Sequence, residues 1–399
     1  MNFPTLNEQM DLIKKGTEEI IPEDELVLKI ENSISSKKPL IIKCGCDPSR
    51  PDLHLGHSVV LGKMRDFQDL GHEAILLIGD FTAMIGDPTG RNKTRPQLTL
   101  DQSKKNSESY VDQASKILNV KSLNIKYNSQ WLSKIDFNKI IELTSKYTVA
   151  RMLERDDFNK RYEKGKPISI HEFLYPIAQG YDSVMLKSDV ELGGTDQKFN
   201  LLVGRNLQKE YGQNPQIIIT TPLIEGTDGV EKMSKSYNNY IGFNDSPEDM
   251  YGKTLSIPDE LIAKYFNYCT RVKDFENIHE SLKDKSINPR DLKRRLAREL
   301  VTKYYSKKDS IKAENNFDAM FIKKDIPDQI DEFKLISKLK LIDIMVNNNL
   351  VSSKGDAKRM IKQGAVKIND QKISDILTEI KPQSECIIKV GKRKFLKLI

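Results

Sequence analysis

Two histidines three residues apart flank a glycine in the stretch DLHLGHSVVLGKM, residues 52–64. An apolar run precedes His54 and His57, and an amphipathic helical pattern follows them. Where a strand leads into the start of a helix, free backbone N–H groups and the helix dipole favour anionic oxygen. Imidazole N–H groups at that place would add donors, so the pattern predicts a phosphate-binding site. Gly56 leaves room for a nucleotide to approach. No further zinc ligands lie nearby, and a buried histidine pair is the structural alternative.

A second candidate group is a pair of lysines in the stretch GVEKMSKSYNN, residues 229–239. Lys232 and Lys235 lie three residues apart in a loop rich in glycine and serine. Two ammonium groups on a mobile loop can close over a pyrophosphate leaving group as negative charge grows on it. A solvated lysine loop is the alternative interpretation. Either stretch alone is modestly specific, whereas the two in this order are highly specific.

The flanking patterns predict the elements that position these groups. KKPLIIKCGCDPS indicates a buried strand, SVVLGKMRDFQDLG a helix, and HEAILLIGDFTAMIGDPTGR a second strand. This order predicts an α/β fold with a doubly wound parallel sheet of the nucleotide-binding kind, with ligands at the carboxyl ends of its strands. The next apolar strand, PQIIITTPLIEG, begins only at Pro215. Residues from about 95 to 175 are therefore predicted to form a mostly helical insertion.

Together the two motifs resemble the HIGH and KMSKS hallmarks of class I aminoacyl-tRNA synthetases. The similarity is greatest to the bacterial tyrosyl-tRNA synthetases that keep an unaltered KMSKS, and it covers essentially the whole chain. Their pattern GxDPTxPDLHLGH stands here as GCDPSRPDLHLGH, and their IGDPTGR is unchanged at residues 85–91. The resemblance implies a Rossmann-type catalytic domain and an ATP-dependent tyrosine–tRNA ligase. Such an enzyme forms tyrosyl-adenylate and pyrophosphate, then transfers tyrosine to the terminal ribose of tRNA(Tyr).

The amino-acid pocket can be checked against helix geometry. Tyr175, Gln179 and Asp182 recur at i, i+4 and i+7 in YPIAQGYD, which places them on one helix face. They match the family's Tyr-x-x-x-Gln-x-x-Asp, in which the first two hold the substrate's ammonium group and the aspartate accepts its phenolic proton. A substrate without the hydroxyl would leave that buried carboxylate unpaired. An ordinary amphipathic helix is the alternative.

The resemblance also implies roles for single residues. His54, His57, Lys232 and Lys235 would stabilise charge in the transition state rather than act as acids or bases. The implied ATP-binding residues are Ser49, Gly56, Gly194, Asp196, Met233 and Ser234, and the implied tyrosine-binding residues are Asp47, Asp87, Tyr175, Gln179, Asp182 and Gln197. Mg²⁺ is expected to travel with the ATP phosphates, with no protein metal site and no tightly bound cofactor.

One position departs from the family pattern. Many tyrosine enzymes carry a tyrosine one residue before the Cys-Gly pair as a second partner of the substrate hydroxyl, and Lys43 stands there in this chain. That partner must then come from elsewhere or be absent. Asp80 is a candidate because it follows a predicted strand, although an aspartate in that place could equally cap a turn.

Positive charge is concentrated at the end of the chain. Residues 338–399 contain 14 Lys+Arg against 6 Asp+Glu, a net of +8, while the remainder has 50 against 51. This segment indicates either a polyanion-binding appendage or a solvated basic surface. Its pattern predicts two short helices, the second capped by Ser353 and ended by Gly364, then a hairpin turning at 369–370. The resemblance implies a small RNA-binding domain, with Lys358, Arg359 and Lys362 as RNA-binding residues.

The chain is predicted to contain several domains, since it is far longer than a typical single one. The predicted segments are a catalytic domain over 1–245 with a KMSKS loop at 226–240, a helical anticodon-side domain over 246–325, a polar linker over 326–337, and the RNA-binding domain over 338–399. The first residues lack a secretory apolar core, and no apolar run reaches the length of a membrane span. A cytoplasmic protein with no membrane partner is expected.

The expected partners are tyrosine, ATP and tRNA(Tyr), and the resemblance further implies a homodimer. Two alternatives remain at this point. A tryptophan–tRNA ligase shares the sheet and both motifs, but the chain length, the basic tail and Asp182 disfavour it. A synthetase-derived RNA-binding or splicing factor should have lost its active-site motifs, and these motifs are intact.

Overall fold

A computed structural model of the chain describes residues 3–48, 52–89, 99–284, 287–323, 330–369, 371–382, 386–391 and 394–399. The chain divides into two compact units, Met1–Ser306 and Lys307–Ile399. No helix within the described ranges is both long and apolar enough to cross a membrane.

The first unit is built on a twisted, mainly parallel sheet. Its described strands are β1 (Glu19–Ile21), β2 (Ile41–Cys46), β3 (Glu73–Ile78), β4 (Leu123–Tyr127), β5 (Val190–Gly194) and β6 (Ile217–Thr221). They lie in the order β1-β6-β5-β2-β3-β4, all parallel except β1, which pairs antiparallel with β6. From β2 the chain winds outward through β3 and β4, then returns to β5 on the other side. Ligands bind where the winding of such a sheet reverses, here between β2 and β5.

Helices surround this sheet, and α3 and α11 pack directly against its strands. The described helices of the first unit are α1 (Leu6–Lys14), α2 (Glu23–Ser36), α3 (Leu55–Asp69), α4 (Thr82–Ile85), α5 (Leu100–Ala114), α6 (Ser129–Leu132), α7 (Phe137–Ser145), α8 (Val149–Met152), α9 (Asp156–Glu163), α10 (Ile170–Leu186), α11 (Lys198–Glu210), α12 (Pro247–Leu255), α13 (Ile262–Cys269), α14 (Phe275–Lys283) and α15 (Pro289–Tyr304). The predicted strand–helix–strand unit is therefore β2–α3–β3.

Three strands of the sheet that precede the segment at Pro215 were not predicted, namely β1, β4 and β5, which corrects the expected number of strands. β4 lies inside the predicted helical insertion, at the sheet edge, where all five of its residues are half-buried. An edge strand needs no continuous apolar run, so its sequence LNIKY gives a weak signal. β5 is buried but carries Glu191 and ends in two glycines, and these residues interrupt its apolar pattern.

The second unit contains a small α+β core. Its described elements are α16 (Lys307–Asp318), a π-helical turn (Ala319–Lys323), β7 (Asp331–Phe333), β8 (Leu339–Lys340), α17 (Leu341–Asn347), α18 (Lys354–Lys362), β9 (Val366–Ile368), β10 (Gln371–Lys372), β11 (Glu379–Ile380), β12 (Cys386–Val390) and β13 (Lys394–Leu398). Ser353 caps α18 by accepting from the Asp356 backbone N–H, and Gly364 follows it at a φ of +66°. β9 and β10 form the expected hairpin, with Asn369 at positive φ and Asp370 outside the described residues.

Part of the predicted linker is sheet, which is a second correction. Strand β7 lies within residues 326–337 and pairs in parallel with β13 at the edge of the strand order β10-β9-β12-β13-β7. Phe333 packs against the core of this unit, while Asp331 and Glu332 are exposed. Because only one side chain in three is apolar, the sequence has the composition of a linker. The boundary between the units falls after Ser306, so α16 belongs to the second unit.

Candidate active site

The carboxyl ends of β2, β5 and β6, the first turn of α3 and one face of α10 line a cavity of about 660 Å³. It brings together most of the residues that the sequence singled out. They are His54, Gly56, His57, Asp47, Asp87, Tyr175, Gln179, Asp182, Gly194, Asp196, Gln197, Lys232, Met233 and Ser234. Lys235 is not part of this lining, and Ser49 lies outside the described residues.

The histidine pair lies at the start of α3, as predicted. His54 is the N-cap, and its backbone N–H donates to Nδ1 of His57 at 3.2 Å. The two imidazole rings are 4.0 Å apart between centroids. Since Nδ1 of His57 accepts a hydrogen bond, the ring proton of its neutral form lies on Nε2.

Both imidazoles are uncharged at neutral pH. Burial lowers the pKa of His57 to about 4, with a further contribution from the charge of Lys235. Burial also holds the pKa of His54 well below its usual range, and His57 and Lys235 add to that effect. Neutral rings donate hydrogen bonds but bring no charge of their own, so the pair suits hydrogen bonding to phosphate oxygen rather than proton transfer.

Gly56 packs tightly against the histidine beside it. A Cβ at this position would lie 3.0 Å from the imidazole atoms Cε1 and Nδ1 of His54. The space that the glycine leaves is therefore taken first by the ring of His54, not directly by a ligand. Nδ1 of His54 is buried and has no hydrogen-bond partner among the described residues, so a polar ligand atom would satisfy it.

The lysine loop is anchored next to the histidines by backbone hydrogen bonds on both sides. The N–H of Met233 donates to the carbonyl of Ile224 at 2.7 Å, and the N–H of Phe243 donates to the carbonyl of Leu53 at 3.0 Å. The N–H of Leu55 donates to the carbonyl of Ile241 at 2.9 Å. One end of the loop is thereby fixed to the segment that follows β6, and the other end to the turn that precedes α3.

Each lysine of the loop is paired with an acidic residue. Nζ of Lys232 lies 2.8 Å from Oδ2 of Asp196, and the Lys232 side chain is 44% exposed. Nζ of Lys235 donates to the backbone carbonyl of Asp52 and lies 3.3 Å from its Oδ2. Both pairs are partly open to solvent, and exchange of such a pair for another anion costs little.

The predicted face of α10 forms the deeper part of the cavity. The hydroxyl of Tyr175 donates to Oδ2 of Asp47 at 2.9 Å. The position of the Asp47 carboxylate requires a glycine at residue 79, because a Cβ on Gly79 would lie 2.0 Å from Oδ1 of Asp47. Tyr175, Gln179 and Asp182 thus all line the cavity, as their shared helix face predicted.

Asp182 is the buried carboxyl at the inner end. It is 2% exposed and accepts from Nε1 of Trp131 at 2.8 Å and from Nδ2 of Asn128 at 3.1 Å. Burial raises its pKa to about 7, although the positive charge of Lys43 and these two hydrogen bonds oppose the shift. The carboxyl thus titrates near neutral pH.

Sequence analysis missed Asn128 and Trp131. Asn128 also donates to Oγ1 of Thr82 at 3.0 Å, and Thr82 donates to Oδ1 of Asp47 at 2.7 Å, so the two aspartates are connected by hydrogen bonds. Asn128 and Trp131 follow β4, the edge strand whose pattern was too weak to predict. The one available signal was that Trp131 is the only tryptophan of the chain.

The proposed second partner of the substrate hydroxyl is not found at Asp80. Asp80 is buried and caps the turn at α6, accepting from the backbone N–H and the hydroxyl of Ser129 at 2.9 and 2.6 Å. Lys43 is engaged as well, since its ammonium group contacts Glu191, Ser183 and the carbonyl of Gln179. The capping alternative is therefore the correct one for Asp80.

Asp87 and Gln197 form a chain of hydrogen bonds near the mouth of the cavity. Nε2 of Gln197 donates to Oδ2 of Asp87 at 2.9 Å, and its Oε1 accepts from Nδ2 of Asn200 at 2.9 Å. Asn200 accepts from the buried guanidinium of Arg155 at 3.2 Å. The orientation of the Gln197 amide is thus fixed at both ends before a substrate binds.

The basic residues predicted for RNA binding lie on α18 of the second unit. Lys358, Arg359 and Lys362 are all exposed, and Arg359 also contacts Asp356 one turn earlier. Ala357 and Ile361 of the same helix are buried in the core of this unit. The helix is therefore amphipathic, with its cations on the solvent side.

Two family models and several known proteins match this chain. The family described as "tRNA synthetases class I (W and Y)" matches residues 35–322, and "Tyrosine--tRNA ligase SYY-like C-terminal domain" matches residues 321–398. The tyrosine--tRNA ligase of Chlorobaculum tepidum is 56% identical over 100% of this chain and 98% of its own length. That of Carboxydothermus hydrogenoformans is 52% identical over 100% of this chain and 99% of its own length.

Solved structures share the fold at lower identity. The crystal structure of tyrosyl-tRNA synthetase complexed with L-tyrosine from Archaeoglobus fulgidus has a TM-score of 0.64 and 23% identity, covering 78% of this chain and 99% of that one. A truncated mitochondrial tyrosyl-tRNA synthetase from Aspergillus nidulans has a TM-score of 0.65 and 23% identity, covering 79% and 94%.

The hydrogen bond between Trp131 and Asp182 makes the site visible to fluorescence. With a pKa of about 7, the carboxyl is neutral below that pH and charged above it, and a charged acceptor strengthens the indole N–H hydrogen bond. We expect the emission of this single tryptophan, excited at 295 nm, to shift with a midpoint near pH 7. Asp182→Asn should abolish the transition. A midpoint near the ordinary pKa of an aspartate, or an unchanged transition in the variant, would contradict the assignment of the transition to Asp182.

Proposed function

This chain belongs to the tyrosine–tRNA ligases of class I, and from that membership we propose the part that each group in the cavity takes in the reaction. The enzyme activates tyrosine with ATP to tyrosyl-adenylate and pyrophosphate, then transfers the tyrosyl group to tRNA. One observation carries the division of roles. A single cavity contains neutral histidines and the lysine loop on one side and the buried carboxyl of Asp182 at its inner end.

The inner end is proposed to bind the side chain of tyrosine. Asp182 accepts the phenolic proton while Trp131 and Asn128 hold its two oxygens in place. Phenylalanine would leave this buried carboxyl without the partner that tyrosine supplies, which gives the pocket its selectivity. The enzyme is itself a standard example of such discrimination.

The groups between the inner end and the mouth are proposed to bind the amino-acid backbone of tyrosine. Tyr175, Gln179 and Asp87 would contact the α-ammonium group, with Asp47 holding the Tyr175 hydroxyl. Gln197 would lie near the substrate carboxylate. This arrangement would aim the carboxylate at the α-phosphate of ATP for in-line attack.

ATP is proposed to lie between the start of α3 and the lysine loop. Gly194 and Asp196 would contact its ribose, with Gly56, Met233 and Ser234 lining the site and Ser49 a further predicted contact. His54 and His57 would donate hydrogen bonds to phosphate oxygens as neutral rings. Mg²⁺ would arrive bound to the phosphates, as part of the substrate.

Lys232 and Lys235 are proposed to act on the pyrophosphate leaving group. To reach it they must exchange Asp196 and Asp52 for phosphate oxygens, which requires the loop to move. Because charge grows on the leaving group only during the reaction, these contacts stabilise the transition state more than the bound substrates. No covalent intermediate with the enzyme is needed.

The reaction can be tested by ATP–pyrophosphate exchange with each of the twenty amino acids. Tyrosine alone should support rapid exchange. Lys235→Ala should lower the exchange rate about 10²–10³-fold, while tyrosine binding by equilibrium dialysis stays within a few-fold. Lys209→Ala, an exposed lysine on α11, is the matched control and should retain full activity. Equal exchange rates in the two variants would contradict the role of Lys235 in stabilising the transition state. If the native protein bound tRNA but supported no exchange with any amino acid, an RNA-binding factor would be favoured.

The second unit is proposed to bind tRNA(Tyr) through α18. Its exposed cations Lys358, Arg359 and Lys362 can contact backbone phosphates, and the net charge of residues 338–399 is +8. Such contacts release counterions, so the affinity that they supply falls as salt rises.

Replacing these three residues with glutamine should weaken tRNA binding and flatten its dependence on salt. The slope of log affinity against log salt should become shallower by up to about 0.9 for each phosphate that the variant no longer neutralises. Adenylate formation should remain normal in this variant and in a chain ending at Lys323. Matched glutamine substitutions at the exposed residues Lys134, Lys160 and Lys209 control for net charge. If the plots of log tRNA affinity against log salt are parallel for the α18 variant and the control variant, α18 is ordinary solvated surface.

A cytoplasmic homodimer is the proposed state of the enzyme. The first unit exposes large apolar side chains that suit a subunit interface, including Phe137 (74%), Ile141 (53%) and Ile170 (81%). Phe137→Asp together with Ile141→Asp should convert a dimer to a monomer in analytical ultracentrifugation. Leu28→Asp, at an exposed leucine of α2, should leave the dimer intact. An unchanged mass in the double variant would place the interface elsewhere.

A further inference from the structure

A lysine and a glutamate face each other inside the sheet, at the wall of the cavity. Lys43 of β2 and Glu191 of β5 are register partners on adjacent parallel strands, and their charged atoms Nζ and Oε1 are 2.9 Å apart. Their side chains are 0% and 1% exposed. A buried ion pair is expensive to desolvate, and apolar side chains of similar volume are commonly as stable. Stability alone therefore gives no reason for charged residues at these positions.

Every polar atom of the pair is hydrogen-bonded. Besides Glu191, the Lys43 ammonium group donates to Oγ of Ser183 at 2.8 Å and to the carbonyl oxygen of Gln179 at 3.1 Å. Oε2 of Glu191 accepts from Ser183 at 3.0 Å and from Nε2 of Gln216 at 2.5 Å. The pair thereby ties the switch point of the sheet to α10, the helix that carries the substrate-binding face.

The pair also fixes the orientation of the Gln179 side chain. Nε2 of Gln179 donates to Oε1 of Glu191 at 3.3 Å. Because a carboxylate can only accept, this contact sets the amide so that its nitrogen faces the sheet. The amide oxygen is left buried, and it has no hydrogen-bond partner among the described residues. Gln179 lines the cavity, so its oxygen is available to a donor that enters there.

We propose that Glu191, neutralised and held by Lys43, is a positioning residue that presents the oxygen of Gln179 to the α-ammonium group of tyrosine. An unpaired buried acceptor is costly until a donor arrives, and an ammonium group is the strongest donor that the substrate offers. Without Glu191 the amide could turn, and its N–H groups would then oppose the ammonium group. This proposal rests on the assignment of Gln179 to the ammonium group made above.

The test compares two double variants that differ in one acceptor. Lys43→Met with Glu191→Gln removes both charges but keeps a side-chain oxygen at position 191. Lys43→Met with Glu191→Leu removes the charges and the oxygen. Binding of L-tyrosine and of 3-(4-hydroxyphenyl)propionate, which lacks the ammonium group, is measured for each by calorimetry. The ratio of the two affinities isolates recognition of the ammonium group from recognition of the phenol.

The leucine variant should lose about tenfold to hundredfold in this ratio, with binding of the deamino compound equal in the two variants because both lack the same charges. The glutamine variant should keep the ratio within a few-fold of the native enzyme. Equal ratios in the two variants would overturn the positioning role. Gln179→Ala tests the underlying assignment separately, because an unchanged ratio there would show that Gln179 does not contact the ammonium group at all.

Thermal melting establishes that each variant is folded. If the leucine variant does not fold, Lys43→Gln with Glu191→Met replaces it. A glutamine at position 43 still supplies donors to Ser183 and to the carbonyl of Gln179, while the methionine removes the acceptor at position 191. The same fall in the ratio supports the proposal, and an unchanged ratio overturns it.

Discussion

The pairing of β2 with β5 is the constraint on which the rest of the catalytic unit depends. These strands are far apart in the sequence, yet they are neighbours at the point where the winding of the sheet reverses. Their carboxyl ends therefore diverge into loops that run in opposite directions, and a crevice opens between them. β2 leads to Asp47 and the histidines of α3, while β5 leads to Gly194, Asp196 and Gln197. One strand pair thus brings both halves of the substrate-binding machinery to a single cavity.

Electrostatics divides that cavity into two parts. At the mouth the histidines are neutral, and the two lysines of the adjoining loop are paired with carboxylates that solvent partly screens. Such pairs are weak, so a phosphate can replace the carboxylate at little cost. At the inner end Asp182 is buried and its pKa is raised to about 7. The mouth is therefore adapted to exchange one anion for another, whereas the inner end is fixed by Trp131 and Asn128 to receive one particular donor.

The two motifs and the face of α10 could be predicted from sequence because each is local. Spacing within a few residues determines whether His54 and His57 meet, or whether Tyr175, Gln179 and Asp182 share a face. The same holds for the Ser353 cap in the second unit. Family membership inferred from these motifs is confirmed by the full-length relatives. The misses are contacts between distant segments. Asn128 and Trp131 reach Asp182 only through the fold, and they follow β4, whose half-buried residues give no strong period. A sequence also cannot show whether Asp80 faces a cavity or a turn.

The two anchors of the lysine loop bear on the integrity of the chain itself. Met233 is hydrogen-bonded to Ile224 before the loop turns, and Phe243 is hydrogen-bonded to Leu53 after it. A single break of the peptide backbone between Ser234 and Asn239 would therefore leave each new end attached to the body by its own contacts. The two polypeptides would remain one folded body, joined by the backbone hydrogen bonds of Leu55 and Phe243 and by the packing of α13 on α3 rather than by covalent continuity. An exposed surface loop of this kind is where a protein can be divided into complementing fragments.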